Sequence, residues 1–128
     1  MKVYLCSQFA RQTEMQFYRN DLHSIGWSVT SHWIDEDPDS EEKDYAIRDL
    51  EDIDNADALI YFPGPPYHGD IGIVARGGRH FEQGVAYEAG KVIIVIGEPE
   101  SDFQKLPTIS RFRNWAEFMS YMTIPEYQ

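Results

Sequence analysis

Short apolar runs alternate with helix-patterned stretches along the whole chain, and that alternation leaves few folds open. The runs are "KVYLCS" (2–7), "SVTSHWI" (28–34), "ALIYF" (58–62) and "KVIIVIG" (91–97), with "FRNW" (112–115) as a short last one. Their length and their β-branched and aromatic content read as buried strands. Met15, Tyr18, Leu22 and Ile25 recur at helical spacing between the first two, and Gly26 supplies the stop. Ser40, followed by Glu41 and Glu42, reads as the start of a second helix with the stripe Ala46, Leu50, Ile53 and Asp57. A Gly/Pro-rich loop (63–78), a third helix (79–90) and a last helix in "WAEFMSYM" complete the series. The order β-α-β-α-β-loop-α-β-loop-β-α predicts an α/β fold. It is a single doubly wound, Rossmann/flavodoxin-like domain over residues 1–128, with a five-stranded, mostly parallel sheet flanked by helices. Ligands of such sheets bind outside the carboxyl ends of the strands. Those ends are Ser7, Ile34 to Asp35, Phe62 to Gly64, and Gly97.

Composition narrows the function. Net charge is −11, from 22 acidic and 11 basic side chains, so neither duplex nucleic acid nor an anionic membrane is an expected partner. A small anionic ligand stays open, because local arginines and backbone N–H groups can hold it against the global field. "VIIVIG" is too short to span a bilayer, and "MKVYLCSQF" does not read as a signal peptide. Cys6 is the only cysteine, so no internal disulfide can form, which suits a reducing, cytoplasmic setting. At the end of an apolar strand it reads as a small buried hydrophobe; a catalytic thiol needs an activating neighbour, and none is evident. The four histidines lack ligand spacing, and no GxGxxG or GxxxxGK[ST] follows the first strand, so no metal and no cofactor are expected.

The stretch "GGRHFEQGVAYEAGK" (77–91) places Glu82 in what reads as the first turn of the third helix, among the small residues Gly84, Ala86, Ala89 and Gly90. Two readings are open. Glu82 is a favourable charge at a helix N-terminus. Alternatively, it heads the face it shares with Ala86 and Ala89, pressed on the sheet at the ligand edge, where a carboxylate is chemically useful. Asp49 lies among the acids Asp44, Glu51, Asp52 and Asp54, at the edge of an apolar stripe, and as readily reads as a solvated charge. Tyr4 is a strand tyrosine whose hydroxyl needs a partner if buried. Arg76 and Arg79 flank the double glycine; "RGGRH" reads either as solvated surface or as an anion cradle.

In order and spacing, "MKVYLCSQF", "RDLEDIDNADALIYF" and "GGRHFEQGVAYEAGKVIIVIG" resemble the nucleoside 2-deoxyribosyltransferase family, from Lys2 to about Trp115. The later "LP" with "F..W" is similar to small phage-type and bacterial members. The resemblance implies cleavage of the N-glycosidic bond of 2'-deoxynucleosides or their 5'-monophosphates. It implies that Glu82 attacks C1', that Asp49 is the active-site acid eight residues before the Asp57 of "AD", and that Tyr4 orients the nucleophile. It also implies a homodimer or higher homo-oligomer whose sites are completed across an interface.

The chain departs from the family at one place. Six residues before the nucleophile, transferases typically carry an aspartate and monophosphate hydrolases a serine; Arg76 stands here, with Asp70 on the longer loop. Ser7, Gln8, Phe9 and Arg11 of the first loop, with Arg76, Gly77, Gly78 and Asp70, are the expected substrate contacts, and Arg76 with Ser7, Gln8 and Arg11 suits a 5'-phosphate. Transfer to another base, hydrolysis of a deoxynucleotide, and a nucleotide-binding module without turnover are the three readings carried forward.

Overall fold

The computed structural model describes residues 1–40, 44–64 and 77–124. Its strands are β1 (Lys2–Cys6), β2 (Ser28–Val29), β3 (Ala58–Tyr61), β4 (Val92–Ile96) and β5 (Ser110–Phe112). They form one sheet in the order β2-β1-β3-β4-β5, and every adjacent pair is parallel. The helices are α1 (Gln12–Ser24), α2 (Tyr45–Asp54), α3 (Gly77–Glu88) and α4 (Trp115–Met122). This is the doubly wound architecture expected from the alternation, with the sheet wholly parallel.

The sheet's two faces follow from the period-2 alternation of strand side chains. Val3, Leu5 and Ile60 point to one side. There Tyr18 of α1 stacks on Trp115 of α4 at 4.1 Å between ring centroids, and on Phe62 at 5.3 Å. Tyr4, Cys6, Leu59 and Tyr61 point to the other side, and their register pairs Tyr4 with Leu59 and Cys6 with Tyr61. Helices α2 and α3 cover that face. Burial of all of β3, and of β1 beyond Lys2, explains why they read as apolar runs.

Four expectations are corrected. The run 28–34 is a strand only over Ser28–Val29; His32–Asp35 is a 3₁₀ turn. Beyond Thr30, whose N–H still donates to the Val3 carbonyl at 2.8 Å, side chains replace the ladder. Ser31 Oγ accepts from the Leu5 N–H at 2.6 Å, and the Trp33 indole donates to the Leu5 carbonyl at 2.8 Å. The backbone is thereby released to turn, and Asp52 of α2 receives the N–H of His32 at 2.9 Å. Second, α2 begins at Tyr45 with Asp44 at its N-cap rather than at Ser40; residues 41–43 lie outside the described residues. Third, only Ile53 of the proposed stripe is both helical and buried. Ala46 and Leu50 are exposed, and Asp57 lies beyond the helix.

Fourth, α3 starts two residues earlier than expected, at Gly77, so Glu82 sits in the second turn. There the helix dipole, which acts within the first turn, does not account for it. Ala86 is fully buried against the sheet, whereas Ala89 is exposed. Gly26 behaves as read: its φ of +83° suits glycine, and the N–H groups of Gly26 and Trp27 close on the carbonyls of His23 and Leu22.

Candidate functional site

Strand β1 and helices α2 and α3 bring three of the expected residues together. Tyr4 is 1% exposed, and its hydroxyl donates to Glu82 Oε2 at 2.5 Å. Two residues along the same strand face, the thiol of Cys6 lies 3.7 Å from Glu82 Oε1 and 3.7 Å from the Arg79 carbonyl. Both carboxylate oxygens thus meet a donor from β1, a strong one on Oε2 and a weak one on Oε1. Asp49 projects from α2 towards the same place. Its Oδ1 is buried without a hydrogen-bond partner among the described residues, as is Ser7 Oγ at the carboxyl end of β1. Buried polar atoms are rarely left so.

The electrostatics separate the two carboxyl groups. Burial raises the pKa of Glu82, but the hydrogen bonds from Tyr4 and Cys6 and the charge of Arg79 oppose the rise and favour the anion. Asp49 lacks such donors among the described residues and has only the charge of Arg48 in its favour. Burial first, then repulsion from Glu82 and Asp52, pushes it up to about 7. The two carboxyl groups repel, and the donors that favour the anion are gathered on Glu82, an arrangement suited to an acid and a nucleophile working side by side. Burial beside Glu82 raises the Tyr4 phenol and the Cys6 thiol, so both remain protonated donors.

The first loop is placed at the same edge. The Gln8 amide packs on Gly64, where a Cβ would approach its Nε2 to 2.6 Å and push that side chain aside. Phe9 is exposed, its ring 6.3 Å from that of Trp33. The Arg11 guanidinium is committed to both oxygens of Glu14, at 2.8 and 2.7 Å, and to the Pro63 carbonyl at 3.1 Å. Arg79 is buried and paired with Glu100 at 3.3 Å, so this guanidinium is engaged in an internal ion pair. Gly77 and Gly78 form the start of α3, and a Cβ at Gly78 would meet no described atom within 4 Å. Asp57 is at the opposite, amino edge of the sheet, accepting from the Lys2 N–H at 2.9 Å. Asp70 and Arg76 lie outside the described residues.

Sequence reasoning missed two features. Cys6 as a neighbour of Glu82 was visible in principle, since residues two apart on a strand share a face with Tyr4. Glu100 had no such signal. It sits in the polar loop after β4, yet its carboxylate is 3% exposed and receives the Tyr61 hydroxyl at 2.8 Å and the Gly64 N–H at 2.5 Å. Among the described residues, no three His, Cys, Asp or Glu side chains converge as a metal site.

No protein-family model matches the chain, and no curated protein matches it in sequence. Solved structures do. The chain is similar to the CMP N-glycosidase BcmB of Clostridium botulinum, at 20% identity and a TM-score of 0.63, over 95% of this chain and 98% of that one. It is also similar to a conserved protein of Enterococcus faecalis V583, at 17% identity and a TM-score of 0.54, over 82% of this chain and 71% of that one. At these identities the likeness establishes a shared fold. No helix among the described residues is long and apolar enough to cross a membrane.

Proposed function

We propose that the protein is an N-glycosidase of nucleotides or nucleosides that works through a covalent glycosyl–Glu82. The observation that carries this reading is the carboxylate of Glu82, held by Tyr4 at 2.5 Å beside an Asp49 whose pKa is raised to about 7. The end-to-end fold likeness to a CMP N-glycosidase supports it.

In the first step Glu82 Oε1, the oxygen with the weaker partner, forms a bond to C1' as the bond from C1' to the base nitrogen breaks. Asp49 delivers its proton to the departing base. The carboxylate stabilises the oxocarbenium-like charge at C1'. In the second step Asp49, now the base, takes a proton from the acceptor as that acceptor attacks C1' and frees Glu82. Two displacements at one carbon retain configuration. Ser7 Oγ and Asp49 Oδ1 supply the free hydrogen-bonding capacity that a sugar hydroxyl or phosphate oxygen would take up.

Water as acceptor makes a hydrolase, and a second base makes a deoxyribosyltransferase. Hydrolysis of a 5'-monophosphate is favoured by the fold likeness, and a cytoplasmic setting by the single reduced cysteine. The test is incubation with CMP, deoxynucleotides and deoxynucleosides, with and without an acceptor base, followed by chromatography and intact-protein mass. Release of free base with a transient sugar adduct is expected. No released base from any substrate would favour a binding module instead.

Self-association belongs to the same proposal. Tyr45 and Ile47 on α2 and Phe81 on α3 are 56%, 59% and 63% exposed, an apolar display on the layer that covers Glu82. A homodimer through this layer would shield it, and light scattering of wild type and Ile47→Glu tests it. A monomeric wild type at assay concentration would remove the oligomer.

A further inference from the structure

The loop after β4 grips α3 on both sides of Glu82. Besides Tyr61 and Gly64, the Glu100 carboxylate lies 3.3 Å from Arg79 Nη2 and 3.4 Å from His80 Nε2, both in the residues just before Glu82. The Glu100 N–H donates to Gln104 Oε1 at 2.8 Å. The fully buried Gln104 in turn donates to Gln83 Oε1 at 3.1 Å, and Gln83 donates to the Phe103 carbonyl at 3.4 Å. Arg79, His80 and Gln83 are thereby tied to one loop, and none has a part in the proposed chemistry. A buried carboxylate is a weak way to gain stability, since its desolvation offsets much of the pairing energy. What it provides is a fixed place for a charge.

We propose that Glu100 is a positioning residue for Glu82: it fixes the opening turns of α3 and offsets the Arg79 charge that acts on the Glu82 carboxylate. The inference rests on the reading of Glu82 as the attacking group. Arg79 favours the Glu82 anion. Glu100, paired with Arg79, moderates that pull, which keeps Glu82 from becoming too weak a base to attack. The other groups facing Glu82 are Tyr4 and Cys6 from β1 and Asp49 from α2. Those facing Glu100 include Tyr61 from β3, Arg79 and His80 from α3, Arg11 from the first loop, and Gln104 from its own loop.

The experiment is a pH titration of the Glu82 side-chain carboxyl by carbon NMR in glutamate-labelled protein. Glu100→Gln keeps the shape and removes the charge, so the Glu82 midpoint should fall by about one pH unit. Arg79→Met should move the midpoint the opposite way, upwards, because the Arg79 charge favours the Glu82 anion. The acid limb of the kcat profile should move with the NMR midpoint while KM changes little. A merely structural role would not shift the midpoint in this pattern. If Glu100→Gln fails to fold, Glu100→Asp, which draws the carboxylate back from Arg79, should give a smaller fall in the same direction. A midpoint unchanged in the folded variant overturns the proposal. Absence of turnover in the wild type would sink the glycosidase reading, and the NMR titration would still decide whether Glu100 governs the charge on Glu82.

Discussion

Tyr4 donates its hydroxyl to Glu82 Oε2 at 2.5 Å, joining the first strand to a helix 78 positions later. A phenol bound to a carboxylate in a buried site is a charge-assisted bond, roughly twice as strong as a neutral one. It both aims the carboxylate and lowers its pKa against burial. Tyr4→Phe fits the same space and removes only the donor. The acid limb of kcat/KM should therefore move to higher pH, and kcat should fall by about ten- to a hundred-fold, the loss of one good orienting bond. A pH–rate profile superimposable on the wild type would remove Tyr4 from the machinery.

Glu82→Gln keeps two hydrogen-bonding atoms and discards the charge. It should abolish turnover and the sugar adduct while leaving the melting temperature equal to or above that of the wild type, because burial of the carboxylate opposes folding. Residual activity near the wild-type rate would mean that another group attacks C1'.

Asp49→Asn has two consequences that can be read separately. As the proposed acid, its loss should cost about 100- to 10,000-fold in rate and flatten the basic limb of the profile. It should also alter stability. Asp49 titrates at about 7 when folded, against an ordinary value of 3.8, so between those pH values the folded state binds the extra proton. Stability from this group is therefore present below about pH 4 and declines as pH rises towards 7. The full shift corresponds to about 4 kcal/mol; because Asp49 is only half-buried, solvent screening reduces the expected gain of Asp49→Asn at pH 8 to about 1–2 kcal/mol. Denaturant melts should show a stabilised variant at pH 8 and no difference at pH 4.

The fold was legible because strands buried on both faces announce themselves as apolar runs, and "ALIYF" and "KVIIVIG" lie within a residue of the strands they form. "SVTSHWI" misled because Ser31 and Trp33 bond to the backbone of Leu5 through their side chains. The composition that favours a strand is equally suited to replacing one. At the candidate site, the family resemblance singled out Tyr4, Asp49 and Glu82, while periodicity alone left Glu82 and Asp49 undecided. The Glu100 network was beyond reach, since nothing in "EPESDFQKLP" distinguishes a carboxylate that will be buried from its solvated neighbours.

The fate of the arginines sharpens the question of a 5'-phosphate. Arg11 is held by Glu14 and the Pro63 carbonyl, and Arg79 by Glu100. Arg76, six residues before Glu82, is then the guanidinium of the expected set left for the phosphate. If it takes that role, 5'-monophosphates should be better substrates than nucleosides, and Arg76→Ala should narrow the gap. A charge-assisted bond to phosphate contributes about 1.5–3 kcal/mol, or roughly ten- to a hundred-fold in specificity. Nucleosides should be little affected, because C1' is held by other groups. If Arg76 instead stacks on the base, both substrate classes should suffer equally; if it only solvates a loop, neither should. The ratio of kcat/KM for a deoxynucleotide over its deoxynucleoside, compared between wild type and Arg76→Ala, separates these cases. An identical ratio in the two proteins would exclude Arg76 as the phosphate ligand and return Ser7, whose hydroxyl is buried without a partner among the described residues, as the next candidate.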